Sequence, residues 1–164
     1  MPVIIREAIS DHERRLRLDE LFFSTTDRKG IIRSGNQVFA RISGYPREAL
    51  IGQPHNMVRH PDMPRAVFRL LWEQLQAGNA ISAYVKNRAA DGSPYWVLAT
   101  VDQAADGYVS VRMSPSSPLF EAARAVYTDV LAVEREVEGG DLRRRKASIE
   151  AGMRRLLERL AAAG

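Results

Sequence analysis

Five polar side chains fall between positions 55 and 62: His55, Asn56, Arg59, His60 and Asp62, interleaved with Pro54, Pro61 and Pro64. Proline fixes φ and with it the course of a loop, and a loop of fixed course can aim such groups into a pocket. A local reading competes with this one: Asp62, just before Pro64, caps the helix that opens near Met63, with His60 folded over it. His55, His60 and Asp62 are metal-ligating types, but their spacing matches no recognised metal-binding helix or hairpin. A hydrolytic Ser-His-Asp site lacks the Gly-x-Ser-x-Gly context of a nucleophile elbow. Pocket and cap both stand at this point.

Composition narrows the setting. The 164 residues are 45% hydrophobic and 27% charged, the balance of one globular domain with some accessory structure. With no Cys, disulfides, thiolate metal sites and cysteine nucleophiles are excluded. Apolar runs such as Leu160-Ala161-Ala162-Ala163 are far too short to span a bilayer, and Met1-Pro2-Val3-Ile4-Ile5-Arg6 lacks the pattern of a secretory leader. The expectation is a cytoplasmic protein with no membrane insertion. The net charge of +4 divides into +3 over residues 1–118 and +1 over 119–164. Neither part is a basic domain, and Arg143-Arg144-Arg145-Lys146 follows Glu134, Glu136, Glu138 and Asp141, so no nucleic-acid partner is expected.

The elements that would carry the loop are legible in order. Residues 3–21 mix apolar and charged positions and predict an amphipathic, partly helical segment. Leu21–Thr26 reads as a strand, Asp27-Arg28-Lys29-Gly30 as a tight turn and Ile31–Ser34 as the returning strand. Asn36–Ile42 has helical spacing ended by Ser43-Gly44, and Pro46 opens a short helix over Arg47–Leu50. After the loop, Val67, Phe68, Leu71, Trp72 and Leu75 line one face of a longer helix closed by Gly78. Ala80–Arg88 and Tyr95–Val101 flank Asp91-Gly92 as a hairpin, and Tyr108–Met113 follows Asp106-Gly107. Tyr95 and Trp96 alternate on their strand, so at most one of them faces a pocket. The order predicts an α+β domain, a five-stranded antiparallel sheet with short helices on one face.

Pro115-Ser116-Ser117-Pro118 punctuates the end of that domain. Leu119, Ala123, Val126, Val130, Val133 and Val137 then follow a 4-3 spacing, Gly139-Gly140 breaks it, and Leu142, Ile149, Met153, Leu156 and Leu160 make a second seam. Seams this short need a partner: each other, the sheet domain or a second chain. The division is thus residues 1–20 as an N-terminal segment, 21–117 as the sheet domain, and 118–164 as a helical hairpin or coiled-coil segment, with a homodimer expected.

Gly52-Gln53-Pro54-His55-Asn56-Met57-Val58-Arg59-His60-Pro61-Asp62-Met63-Pro64 resembles the signature of the FAD-binding PAS domains of bacterial aerotaxis receptors. The resemblance continues in order through Ser24-Thr25-Thr26-Asp27, Asn36 with Val38-Phe39, Ser43-Gly44-Tyr45, Phe68 with Trp72, Val85-Lys86-Asn87-Arg88, Asp91-Gly92, Tyr95-Trp96-Val97 and Val111-Arg112, covering roughly residues 20–115. It implies a PAS fold and FAD as cofactor. Asn36, Arg59, His60 and Asp62 match positions that hold the flavin, and Trp72 and Tyr95 match aromatic positions near its pocket. A pyrophosphate suits Arg59, and the polar edge of the ring needs matched donors and acceptors in an aromatic cleft. Plain core packing competes for Trp72, which lies on the apolar face of its helix.

The implied function is a sensor of redox state or oxygen that signals through its flanking helices to a partner such as a histidine kinase or a chemoreceptor complex. No nucleophile or general base can be placed, so an enzyme is not expected. In two places the chain departs from the family. Ile81 stands where the family commonly has a Trp, and an aliphatic side chain cannot stack on a flavin ring as Trp does. A second expectation follows, a PAS interaction or dimerisation module without flavin, its pocket empty or holding another ligand such as haem on His55 or His60. The receptors also continue into a membrane anchor and a long signalling rod, whereas here a short helical pair follows Pro118, so this chain is not expected to be a chemoreceptor by itself.

Overall fold

The computed structural model describes residues 11–164. By their contacts these fall into two compact units, one of residues up to His60 together with Gly78–Ser116, the other of Pro61–Ala77 together with Ser117–Gly164.

The first unit is built on five strands, β1 (Leu21–Asp27), β2 (Ile32–Gly35), β3 (Ile81–Arg88), β4 (Pro94–Ala104) and β5 (Gly107–Met113), in the order β2-β1-β5-β4-β3 with every neighbour antiparallel. The Asp27 carboxylate closes the β1–β2 turn by accepting from the N–H groups of Lys29 and Ile31. Asp91 does the same for β3–β4, accepting from Ser93 N, while Ala89 N donates to Ser93 O across the loop of residues 89–93. Helix α1 (Gln37–Ser43) starts on the side chain of Asn36, which accepts from Phe39 N, and ends on Gly44. Helix α2 (Arg47–Leu50) and a 3-10 turn (His55–Val58) follow.

Register places Phe22, Ser24, Ser110, Arg112, Tyr95, Val97, Ala99, Val85 and Asn87 on one face of the sheet, all buried. Leu21, Phe23 and Met113 lie on the opposite face and are exposed. On β5 the polarity is therefore reversed: Ser110 and Arg112 point inward, while Val109, Val111 and Met113 point outward.

The amphipathic segment expected over residues 1–20 lies outside the described residues for 1–10, and residues 11–20 form no helix. Arg14 and Glu20 find partners elsewhere, while Arg15 and Arg17 pair with Glu13 and Asp19 inside the segment. Arg14 N donates to Pro94 O, and its guanidinium reaches Ile42 O, Arg41 O and, at 2.7 Å, Asp91. That cation holds the Asp91 carboxyl down at about 2. Arg41 pairs with Glu20, and Leu16 is buried beside this strap.

The second unit contains α3 (Arg65–Gln76), α4 (Leu119–Glu138), a 3-10 turn (Leu142–Arg144) and α5 (Arg145–Ala163). Two consecutive glycines of positive φ, Gly139 and Gly140, turn the chain so that α4 and α5 pack on each other, and α3 packs on both. Among the partners that the seams require, each other is the one observed here. The long helix expected inside the sheet domain belongs by its contacts to this helical unit.

At the start of α3 the local reading of the loop is corrected. Pro64 occupies the cap position and makes no side-chain cap hydrogen bond. The carboxylate comes from α4: Glu134 Oε2 accepts from Arg65 N at 3.0 Å and Oε1 from Ala66 N at 2.8 Å. Asp62 instead pairs with Arg135 at 3.0 Å. Two free N–H groups at a positive helix end attract whichever carboxylate the packing delivers, and a residue on a docked helix reaches them here.

Candidate ligand-binding site

The inner face of the sheet carries a cation where a core ordinarily has none. Arg112 is 5% exposed, between Phe22 of β1 and Ala99 of β4 in register. Its Nη1 donates to Ser24 Oγ at 2.8 Å and its Nη2 to His55 Nε2 at 2.6 Å. The guanidinium lies 5.2 Å from the centre of the Phe22 ring and 5.7 Å from that of Phe39. No carboxylate pairs with it among the described residues, and burial pulls its pKa down to about 10.

The surrounding groups take their states from this cation. Arginine has only donors, so the His55 nitrogen facing it is the acceptor and the ring proton sits on Nδ1. Burial, and then the charge of Arg112, holds His55 well below its ordinary pKa, in the neutral form. Ser24 Oγ, 3.2 Å from the same nitrogen, accepts from Arg112 and donates to His55. Phe22, Phe39 and His55 form a parallel stack, with centroids 5.3 and 5.7 Å apart and planes within 7°.

Two hydroxyls in the same interior have no hydrogen-bond partner among the described residues, Tyr95 Oη and Ser110 Oγ. Tyr95 is fully buried, and that burial raises its pKa. An unmatched buried hydroxyl costs about 1–3 kcal/mol, and an uncompensated buried charge more. Guanidinium, phenol, hydroxyl and neutral imidazole together suit a ligand whose polar edge is rich in carbonyl and ring-nitrogen acceptors and whose body is flat and apolar. The flavin ring has that chemistry, so the donor set fits the cofactor that the sequence resemblance implies.

Of the six residues singled out from sequence, four belong to this unit. Tyr95 points into the interior, and Trp96 to the other face. Asn36 is at the edge, where Nδ2 donates to Leu21 O, and it lines a shallow surface dent with Ile32, Gly35, Phe39, Arg47, Leu50 and Ile51. Arg59 bridges to Asn87 of β3, and His60, buried, donates its backbone N–H to Lys86 O. Asp62 and Trp72 belong to the helical unit. Ile81 opens β3 in the cross-strand row of Val101, Ser110 and Ser24.

Arg112, Ser24 and Ser110 were not singled out. The signal for Ser110 and Arg112 was the inverted alternation of β5, where both stand in phase between apolar residues on a strand that is central in the sheet.

Comparison with known proteins bears on this geometry. Residues 32–107 match the PAS fold family. The aerotaxis receptor of Escherichia coli K12 is 40% identical over 114 residues, which make up 66% of this chain and 22% of the receptor. The biofilm dispersion protein BdlA of Pseudomonas aeruginosa is 30% identical over 82 residues, 49% of this chain and 20% of that protein. The matched region thus spans about a fifth of the length of these relatives. Among solved structures, a light-oxygen-voltage domain described with a flavin analogue superposes with a TM-score of 0.56 over 67% of this chain and 86% of that one, at 19% identity.

Proposed function

The chain carries a PAS sensory domain related to that of an aerotaxis receptor, and on that premise we propose that it is a cytoplasmic sensory protein that binds FAD and signals redox state or oxygen through its flanking helices. The observation that carries the reading is Arg112, a buried guanidinium with no carboxylate partner among the described residues. When bound, FAD supplies a ring that takes up electrons and changes charge at its polar edge. Arg112 and the hydroxyl of Tyr95 offer donors to that edge, and His55 is held neutral so that it adds no second positive charge. Arg59, at the end of the Pro-framed loop, offers a cation to the pyrophosphate. Asn36 and His60 fix the backbone on either side, and the roles of Asp62 and Trp72 toward the cofactor are part of the same proposal.

The output is a partner such as a histidine kinase or a chemoreceptor complex, engaged by the protein as a homodimer. For the signal to count, the two redox states must favour different arrangements of the helices. The absorbance spectrum of the purified chain tests the reading: flavin bands, or their appearance on reconstitution with FAD, are expected, and neither appearing overturns it. Light scattering on a sizing column tests the dimer, and a monomer across the micromolar range overturns that part.

A second reading is supported by the stack of Phe22, Phe39 and His55 and by Ile81 in place of an aromatic residue. In it the interior is filled by the chain's own side chains, and the domain serves docking or dimerisation. The same spectrum separates the two, and a Soret band in it would assign haem instead.

A further inference from the structure

Glu134 is 2% exposed on α4, yet both of its carboxylate oxygens are used by another helix: Oε2 by Arg65 N and Oε1 by Ala66 N. Its backbone is held too, since Ser148 Oγ of α5 donates to Glu134 O at 2.9 Å. Around it, Arg65 pairs with Glu138 and Asp62 with Arg135, so three successive polar contacts join the start of α3 to the last turns of α4. The room for the carboxylate comes from α5. A Cβ on Gly152 would lie 2.5 Å from Glu134 Oε1 and 2.7 Å from its Cγ. A glycine inside a helix is destabilising relative to alanine, and here the space its missing side chain leaves is taken up by the carboxylate.

Helix α3 is also the segment through which the chain leaves and re-enters the sheet unit. Before it stands His60, bonded through its backbone to Lys86 of β3, and after it the chain enters β3 at Ile81. Both ends of α3 therefore lead by a few residues to the same strand, while Glu134 holds its first turn.

We propose that Glu134 is a latch: its carboxylate on the first turn of α3 fastens that helix to the α4–α5 hairpin, and opening it frees α3 as one piece while the sheet stays folded. Its use as the output step rests on the sensory reading above, in which the two redox states favour different arrangements of the helices. First-turn amides of a helix normally have no acceptor and exchange fast. Those of Arg65 and Ala66 are slow if the latch is closed.

Amide hydrogen exchange on the full chain, followed by NMR in the wild type, Glu134→Gln and Gly152→Ala, tests this. The glutamine keeps one acceptor oxygen and the fold of the site, whereas the alanine pushes the carboxylate off without altering it. Exchange at Arg65 and Ala66 is expected to rise by at least about tenfold in Gly152→Ala, and at one of the two in Glu134→Gln, with the amides of β1, β4 and β5 unchanged. Equal rates at Arg65 and Ala66 in all three proteins overturn the latch. So does loss of protection in the sheet together with α3, because the carboxylate would then be holding the whole fold. If the wild type takes up FAD, reduction should change these two rates and leave Gly152→Ala unmoved. Identical rates in both redox states remove the latch from signalling. A protein without flavin overturns the sensory reading, and the variant comparison still decides the latch.

Discussion

Arg112 Nη2 lies 2.6 Å from His55 Nε2 in the interior of the sheet unit, a separation at which the two side chains cannot both be cations. The guanidinium keeps its charge at neutral pH even with its pKa drawn to about 10, so the imidazole is the partner that yields.

That relationship sets a pH dependence. The native state holds the His55 pKa well below its ordinary value, while the unfolded chain protonates it near 6.5. Below about pH 6.5 the unfolded state therefore binds more protons, and stability falls as pH falls; above it the contribution is complete. Urea midpoints are expected to drop from pH 7 to pH 5.5. His55→Gln, which does not titrate, should flatten that part of the profile. An unchanged slope in the variant would show that His55 is not its source.

Replacing Arg112 separates ligand binding from stability. Arg112→Met removes a buried, uncompensated charge and keeps the length of the side chain. Swaps of buried charged groups for apolar ones of similar volume are often neutral or stabilising by about 1–4 kcal/mol. The unfolding midpoint of the ligand-free variant should hold or rise, while FAD retention falls at least about tenfold. A large loss of stability instead would mark Arg112 as a structural hub.

Tyr95 gives a milder version of the same test. Its hydroxyl has no hydrogen-bond partner among the described residues, so Tyr95→Phe should leave the ligand-free protein as stable as the wild type or up to about 1 kcal/mol more so. A shift in the bound flavin's absorbance bands would place the hydroxyl at the ring. A loss of stability would reveal a partner inside the protein.

Asn36 has a structural role independent of any ligand. Its side chain accepts from Phe39 N and donates to Leu21 O, so Asn36→Ala should cost about 1 kcal/mol through the lost cap of α1. Denaturation without FAD measures that part, and any further loss of FAD binding is the residue's contribution to the site.

The sheet was legible because its signals are local. Asp27 and Asp91 close turns with their own neighbours, Asn36 caps the helix that follows it, and the alternation of Tyr95 and Trp96 says that only one can face inward. Residues whose partners are distant were not legible. Asp62 looked like the cap of α3 because it stands next to it, yet Glu134, on a helix that begins past residue 118, delivers the carboxylate. Arg112 was hidden for a related reason. Apolar Val111 and Met113 flank it, and a rule that turns apolar residues inward assigns the strand the opposite way round. The strap at Arg14 escaped notice because its bonds go to residues far along the chain, at Ile42 and Pro94.

The placement of α3 also bears on how the protein can be dissected. The helical unit is discontinuous in sequence, since one of its three helices is encoded inside the sheet unit. A chain cut at Ser116 would not be the sheet unit alone. It would carry α3 stripped of α4 and α5, with the Arg65 and Ala66 amides left without Glu134 and the helix faces that met α4 and α5 uncovered. Such a fragment would be prone to associate through a surface that the full chain keeps covered, and its oligomeric state would say nothing about the native protein.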